Sequence, residues 1–167
     1  MSERSAAAVP PLVVEFDVAI DADRAFDTWV SRIDVWWPPG HTMSTSPATI
    51  VVEPHIGGRI YERAADGAEH AWGEVLLWDP PRAIRWNWHL FFSRAEATQL
   101  DVTFTPSATG TAVRLVQSGW DALGEAGPSR RERTVQGWTQ VTAGYRELIR
   151  RETAPGESST RTEDRTP

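Results

Sequence analysis

The stretch W-D-P-P-R-A-I-R-W-N-W-H-L, residues 78–90, sets the structural pattern of the chain. Residues 79–81, D-P-P, predict a tight turn, because proline holds the residue before it in an extended conformation. The run that follows places Trp86 and Trp88 two residues apart, and such side chains point to one face of a strand. We therefore predict a hairpin whose second strand, 83–92, presents a tryptophan face that either packs a core or lines a binding site.

Short strand patterns continue on both sides of this hairpin. Alternating apolar and polar residues between turn residues predict further strands at 12–20, 49–53, 59–63, 70–78, 98–105 and 111–117. Turns join most of these strands, which indicates an antiparallel sheet rather than βαβ units. One short amphipathic helix is predicted after the first strand. It carries Phe26 and Trp29 and ends at W-W-P-P, 36–39.

The C-terminal part of the chain predicts one long amphipathic helix, 130–152. Its apolar stripe comprises Val135, Trp138, Val141, Tyr145, Leu148 and Ile149. The sequence S-R-R-E, 129–132, has the pattern of a capping box at the helix start. Gly137 and Gly144 lie on one flank of the stripe, although glycine costs on the order of 1 kcal/mol inside a helix. Two glycines there indicate either the close approach of another surface or room beside the helix.

Composition is typical of one soluble globular domain. The chain has 167 residues, of which 40% are hydrophobic and 24% charged. We predict a domain at 12–152 between a flexible N-terminal tail, 1–11, and a disordered C-terminal tail, 153–167. The chain contains neither an apolar run of roughly 18 residues nor a signal-peptide pattern, so we predict no membrane insertion and a cytoplasmic location. The net charge of −6 argues against nucleic acid as a partner.

Residue types that usually carry chemistry are scarce. The absence of cysteine excludes disulfides, thiolate nucleophiles and sulfur-ligated metals. The four histidines lack metal-ligand spacing, and we interpret them as surface or edge residues: His41, His55, His70 and His89. We expect His89 to lie on the face opposite Trp86 and Trp88. No phosphate loop or nucleophile motif occurs, so we assign no catalytic residue, no metal and no cofactor.

The strand 70–78 leaves its inward face open between two alternatives. If Leu76 points inward, strand alternation carries Trp72 and Glu74 inward with it. If Val75 and Leu77 point inward instead, Glu74 lies in solvent, where most carboxylates are found. A carboxylate in an apolar cavity would orient a polar group of a ligand or serve acid–base catalysis.

An ordered set of motifs resembles one known superfamily. In chain order they read I-D-A-D-R-A-F-D-T-W (20–29), W-W-P (36–38), E-P-H-I-G-G-R-I-Y-E (53–62), W-G-E-V-L-L-W-D-P-P-R-A-I-R-W-N-W (72–88), S-G-W-D-A-L (118–123) and G-W-T-Q-V (137–141). Together they resemble the SRPBCC (START-like, helix-grip) superfamily. Within it they are similar to the activator-of-heat-shock-protein-90-ATPase homologue family. The resemblance covers roughly residues 12–150.

The resemblance implies an α+β helix-grip fold. In that fold a curved antiparallel sheet of about seven strands wraps around a long C-terminal helix, in the order β-α-α-β6-α. It also implies a cavity between sheet and helix, typically for an apolar ligand. Members include lipid carriers, polyketide aromatases and cyclases, and co-chaperone domains, so the fold alone does not fix a function. In larger relatives the co-chaperone role also uses an additional N-terminal domain, for which we expect no room here.

We therefore predict that the protein binds a small hydrophobic molecule in this cavity. One alternative is an enzyme of the polyketide aromatase/cyclase type, using Glu74, Gln117 and the Tyr145 hydroxyl. Another is a co-chaperone-like interaction domain, and a homodimer or a chaperone contact stays open. The candidate wall residues are Trp72, Glu74, Leu76, Trp86, Trp88, Val102, Leu115, Gln117, Trp138, Val141 and Tyr145. Trp138 and Tyr145 are the foremost, since they lie one above the other on the helix.

Overall fold

The computed structural model describes residues 8–45 and 47–154. Its elements are β1 Leu12–Val18, α1 Ala22–Ser31, α2 Ile33–Trp36, β2 Pro47–Val52, β3 Arg59–Ala64, β4 Glu69–Asp79, β5 Ala83–Trp88, β6 Thr98–Ser107, β7 Gly110–Ser118 and α3 Gly127–Thr153. This order confirms the predicted fold class. The predicted tails lie largely outside the described residues, and the domain boundaries stay a prediction. In the described part of the chain, no helix combines the length and apolar character that a membrane span requires.

The strands form a single antiparallel sheet that curls into a half-barrel. Their order is β1-β7-β6-β5-β4-β3-β2, so the first two strands of the chain form its edges. The helices cover the concave face, where α1 packs against β6 and β7 and α3 against β1. The convex face carries cross-strand ion pairs, such as Arg85 to Asp101 at 2.7 Å and Arg114 to Glu15 at 2.8 Å. The sheet therefore has one apolar face, and that face looks toward the helices.

Tryptophan side chains form much of the core on this concave face. The Trp29 ring lies 4.7 Å from that of Trp36 and 6.4 Å from that of Trp86, between ring centroids. Tilted and edge-on contacts of this kind are the arrangements that aromatic rings prefer. The buried indole N–H groups of Trp29 and Trp86 have no hydrogen-bond acceptor among the described residues. The core is thus held by ring packing rather than by polar contacts at these two positions.

Two β-bulges in β4 decide which of its side chains face inward. The register against β3 shifts at Trp72, and the register against β5 shifts at Leu76. Each extra residue reverses the alternation, so Trp72 and Val75 are both fully buried. Leu76 is 43% exposed, and Glu74 forms an ion pair outside the core. Of the two alternatives, the one in which Leu76 and Glu74 face inward is therefore wrong, and the one that leaves Glu74 outside the core agrees with the structure. Simple alternation fails along β4 because neither bulge is visible in the sequence.

The start of α3 differs from the prediction. The helix begins at Gly127 without a side-chain cap, because the preceding 3-10 helix, Trp120–Ala126, runs directly into it. Ser129 is already inside the helix, and its hydroxyl donates to the Ala126 carbonyl at 3.3 Å. The predicted capping box at 129–132 is therefore wrong. Val135, predicted as part of the apolar stripe, is exposed, whereas the remainder of the stripe is buried.

The strand β5 is shorter than the predicted 83–92. It ends at Trp88, and the chain then turns away from the sheet. In this turn the backbone N–H of His89 donates to the Trp72 carbonyl at 2.8 Å. Its Nδ1 lies 3.2 Å from the Phe92 carbonyl oxygen, and the side chain is buried. The interpretation of His89 as a surface residue is therefore wrong, since it depended on the strand continuing past Trp88.

Candidate ligand-binding site

A cavity of about 270 Å³ lies between the C-terminal end of β5 and the first half of α3. The residues that line it come from the segment after α2, the end of β5 and the turn after it, the end of β7, and α3: Trp37, His41, Trp88, Leu90, Phe91, Phe92, Gln117, Arg130, Arg133, Thr134, Gly137, Trp138 and Val141. Of these side chains, that of Phe91 is 53% exposed, so it borders the cavity on the solvent side. The cavity is at the place where a helix-grip fold keeps sheet and helix apart.

Three indole rings, which we call the tryptophan wall, form its apolar side: Trp37, Trp88 and Trp138. The Trp88 ring lies 5.9 Å from each of the other two, between centroids. Behind it, the Trp86 ring stacks on Trp88 at 5.5 Å and is fully buried. Of the two tryptophans of the hairpin, Trp88 thus borders the cavity and Trp86 packs the core.

The predicted wall residues divide into three groups. Those that line the cavity are Trp88, Gln117, Trp138 and Val141. Those that are buried in the core without lining it are Trp72, Trp86, Val102, Leu115 and Tyr145. Glu74 and Leu76 lie outside both, and the Glu74 carboxylate pairs with Arg94 at 3.1 Å. A ligand-binding role for any of these residues stays a prediction.

The amide of Gln117 joins three elements at the inner end of the cavity. Its Nε2 donates to the Thr98 hydroxyl at 2.8 Å, and its Oε1 accepts from the Trp138 indole N–H at 2.6 Å. Both ends of this buried amide are therefore engaged within the protein. Its effect is to fix the Trp138 ring against the cavity, while one N–H and one oxygen lone pair of the amide have no partner among the described residues.

A buried carboxylate, Glu62, anchors the loop at Met43 and Ser44, which follows the cavity-lining residue His41 in the chain. It accepts hydrogen bonds from the Ser44 N–H at 3.2 Å, the Ser44 hydroxyl at 2.9 Å, the Trp72 indole at 3.1 Å and the Met43 N–H. Next to this segment, the Trp37 indole donates to the His41 carbonyl at 2.9 Å. Within residues 8–45 and 47–154, no cluster of three or more histidines or carboxylates could hold a metal ion. The three hydrogen bonds from Met43 and Ser44 make Glu62 the anchor of this loop.

Sequence reasoning missed Glu62, although a signal was present. Ile60 and Glu62 lie two residues apart in β3 and so share the inward face. The general rule that carboxylates lie in solvent argues against such a residue. The rule fails for Glu62 because hydrogen-bond donors surround its carboxylate.

Sequence reasoning also missed Arg130, which lies at the cavity mouth. Its guanidinium carbon stands 3.3 Å from the centroid of the Phe92 ring, and its Nη1 donates to the Glu96 carbonyl at 2.7 Å. Burial is the main cause that lowers the pKa of Arg130, while the nearby Glu96 acts in the opposite direction. The available signal was spacing: Arg130 and Thr134 extend the apolar stripe of α3 toward its N-terminus at intervals of one turn.

The two glycines on the flank of α3, Gly137 and Gly144, have different structural reasons: one leaves room beside the helix, and the other allows another surface to approach closely. Gly137 lines the cavity, and a Cβ placed there would meet nothing within 4 Å. A Cβ at Gly144 would lie 2.4 Å from the Trp36 carbonyl oxygen, closer than real structures allow. One glycine therefore leaves room beside the helix, and the other permits the close approach of α2.

The Tyr145 hydroxyl serves the core. It donates to the Ala25 carbonyl at 2.7 Å, and burial raises the pKa of this phenol well above its usual range. We expect Tyr145→Phe to lower the free energy of unfolding by about 1 kcal/mol, since one hydrogen bond is lost. We expect the affinity for a cavity ligand to stay unchanged, as measured by chemical denaturation beside a binding titration. Weaker ligand binding in a variant that keeps its stability would contradict this assignment.

Comparisons with solved structures find the same fold in other proteins. Protein MLL2253 from Mesorhizobium loti is 22% identical, with a TM-score of 0.64, over 85% of this chain and 98% of that one. Protein Ms6760 from Mycobacterium smegmatis is 20% identical, with a TM-score of 0.63, over 85% and 92% of the two chains. These likenesses show the fold alone.

One similar structure is described as an enzyme. It is an anthrahydroquino-gamma-pyrone synthase, Txn09, solved in complex with a molecule designated SUM. It is 27% identical, with a TM-score of 0.57, over 84% of this chain and 97% of that one. Among curated proteins, no significant match is found.

The family comparison agrees with the fold. Residues 19–149 match the family described as Activator of Hsp90 ATPase homolog 1-like protein. The match runs from the end of β1 to the last turns of α3, and it includes both walls of the cavity. The chain belongs to the Activator of Hsp90 ATPase homolog 1-like family.

Proposed function

We propose that the protein binds a small, apolar, flat molecule in the cavity between β5 and α3. The observation that supports this proposal is the tryptophan wall, whose three rings belong to the buried core and also border the cavity. Ligand pockets are mostly apolar and aromatic with a few placed polar groups. The cavity of about 270 Å³ is close to the lower end of the usual range of about 300–1,000 Å³.

The state of the predicted catalytic groups favours binding over reaction. Glu74 lies outside the cavity in an ion pair, and the Tyr145 hydroxyl is bound to a backbone carbonyl in the core. Gln117 does line the cavity, but its amide is engaged at both ends. A general acid or base must reach the proton that it transfers, and neither Glu74 nor Tyr145 lines the space that a ligand would occupy.

An enzyme of the aromatase/cyclase type is the second candidate, and the likeness to the synthase Txn09 favours it. His41 would be its first suspect, because it lines the cavity and an imidazole ring can act as a general acid or base. The two candidates are separated by incubating any ligand captured in native mass spectrometry with fresh protein. An unchanged ligand mass supports binding alone, whereas a changed mass that requires His41 supports an enzyme.

Gly137 offers a direct test of binding in the cavity. We expect the neutral fluorescent probe N-phenylnaphthylamine to bind the wild-type protein and to gain emission. A phenyl side chain in Gly137→Phe would extend into the cavity, so we expect its affinity for the probe to fall at least about tenfold. Gly137→Ala is the matched control, because its methyl group enters open space and leaves most of the cavity free.

The expected order of affinity is therefore wild type equal to Gly137→Ala, and both above Gly137→Phe. Thermal unfolding of all three proteins checks that the fold is intact. Equal probe binding by a folded Gly137→Phe variant would place the probe outside this cavity and would overturn the proposal.

A further inference from the structure

The charged residues that line the cavity are basic, whereas the chain as a whole is acidic. The chain contains 23 acidic and 17 basic residues and carries a net charge of −6. The residues that line the cavity include Arg130, Arg133 and His41, and no aspartate or glutamate among those that the structure describes. A cavity that is apolar on one side and basic at its mouth is suited to a ligand with one anionic end.

Arg130 is buried, and the nearby Glu96 carboxylate acts on it from beyond ion-pair distance. Only 5% of the residue is exposed, and no carboxylate in residues 8–45 and 47–154 lies within ion-pair distance of it. Nη1 donates to the Glu96 carbonyl, and the other guanidinium nitrogens have no acceptor among the described residues. They are not sealed in the core, since the only buried side-chain nitrogens without a partner among the described residues are the indole nitrogens of Trp29 and Trp86. These N–H groups are therefore open to an acceptor on a ligand, and a hydrogen bond between ionised groups is stronger than one between neutral groups.

Two neighbouring contacts fix the direction of this guanidinium. The Phe92 ring supports one of its faces at 3.3 Å, and the Glu96 carbonyl holds one edge. Arg133 lies on the same side of α3, exposed at the mouth, and its positive charge lowers the pKa of Arg130 further. A rigid planar fork next to a second cation is the arrangement that binds a carboxylate through two parallel hydrogen bonds.

The geometry points to an aromatic carboxylate as the ligand class, with its rings on the tryptophan wall and its carboxylate on Arg130. This inference rests on the proposed function and specifies its ligand. The aromatic body follows from Trp37, Trp88 and Trp138, which favour ring stacking over an alkyl chain. A fatty acid would offer the same carboxylate on a different body, so the experiment must separate the two sources.

The test compares three probes by isothermal titration: naphthoate, its neutral amide naphthamide, and the fatty acid dodecanoate. We expect wild-type protein to prefer naphthoate over naphthamide by about tenfold or more. Arg130→Gln is expected to weaken naphthoate binding by about tenfold to hundredfold and to change naphthamide binding less than about twofold. Arg130→Lys keeps the charge without the planar fork, and we expect it to restore only part of the naphthoate affinity.

Arg146→Gln is the matched control. Arg146 is on the same helix and also stands over a phenyl ring, that of Phe16 at 5.4 Å, but it does not line the cavity. We expect it to leave the affinity for all three probes unchanged, with thermal unfolding confirming that every variant is folded.

Each outcome has a separate meaning. Equal binding of naphthoate and naphthamide by wild type overturns the carboxylate inference and leaves the proposed function standing. If dodecanoate binds in an Arg130-dependent way and naphthoate does not bind, the inference that the ligand is aromatic is overturned. If naphthoate and naphthamide both fail to bind while N-phenylnaphthylamine binds, the ligand class is wrong. If none of the aromatic probes binds, the proposed function fails with it.

Discussion

Glu62→Ala is expected to lower the free energy of unfolding by about 3 kcal/mol or more. The substitution removes the acceptor of four hydrogen bonds, donated by the Ser44 N–H, the Ser44 hydroxyl, the Met43 N–H and the Trp72 indole. A buried donor that loses its acceptor costs about 1–3 kcal/mol, and the Trp72 indole has no path to water. The loop at Ser44 can turn outward and recover part of this loss, but only by leaving its place beside the cavity.

The measurement is urea denaturation of wild type, Glu62→Ala, Glu62→Gln and Glu74→Ala. Glu62→Gln keeps one acceptor oxygen, so we expect an intermediate loss. Glu74→Ala is the control, because it removes an ion-paired carboxylate of similar reach outside the core. We expect it to cost less than about 1 kcal/mol. Equal losses for Glu62→Ala and Glu74→Ala would show that the buried carboxylate does not hold the loop.

Gly144→Ala is expected to destabilise the protein by about 1–3 kcal/mol, while Gly137→Ala is expected to stabilise it by up to about 1 kcal/mol. The two substitutions are chemically identical and both remove a glycine from α3. At Gly144 the new methyl group would lie 2.4 Å from the Trp36 carbonyl oxygen, a backbone atom that cannot swing aside. At Gly137 the methyl group meets open space, so only the gain in helix propensity remains.

Thermal and chemical unfolding of the two variants check this difference in sign. Gly144→Ala must also push the end of α2 away from α3, and Trp37 follows directly on that helix. We therefore expect weaker binding of N-phenylnaphthylamine in Gly144→Ala and unchanged binding in Gly137→Ala. A stabilised Gly144→Ala variant would mean that α2 and α3 are not in close contact in solution.

Most of the fold could be predicted from the sequence, because period and turn chemistry are local. The alternation in β1, β6 and β7, the turn at 79–81 and the stripe of α3 each depend on residues within a few positions of one another. The face of β4 could not be predicted in this way. Its two bulges depend on how β3 and β5 pair with it, and that pairing is set by residues far away in the chain.

The cavity was harder to predict than the sheet for a related reason. Trp86 and Trp88 have the same spacing signal, and only the end of β5 and the position of α3 decide that Trp88 borders open space. Tyr145 belongs to the same stripe as Trp138, yet α1 covers it and fills the room beside it. Arg130 could have been recognised, since it continues the apolar stripe of α3 two turns toward the N-terminus. A charged residue on a buried stripe is unusual, because burying a charge is costly.

The pairing of β1 with β7 has a consequence for how the chain is made. Leu12 pairs with Gln117, and Phe16 with Val113. Strand β1 can therefore pair only after β7, the last strand of the sheet in chain order, has been synthesised. Five strands are synthesised between them, and α3 follows still later. Such distant contacts form slowly because a long loop must close before they contribute. During synthesis, β1 therefore has no partner strand until β7 has been made.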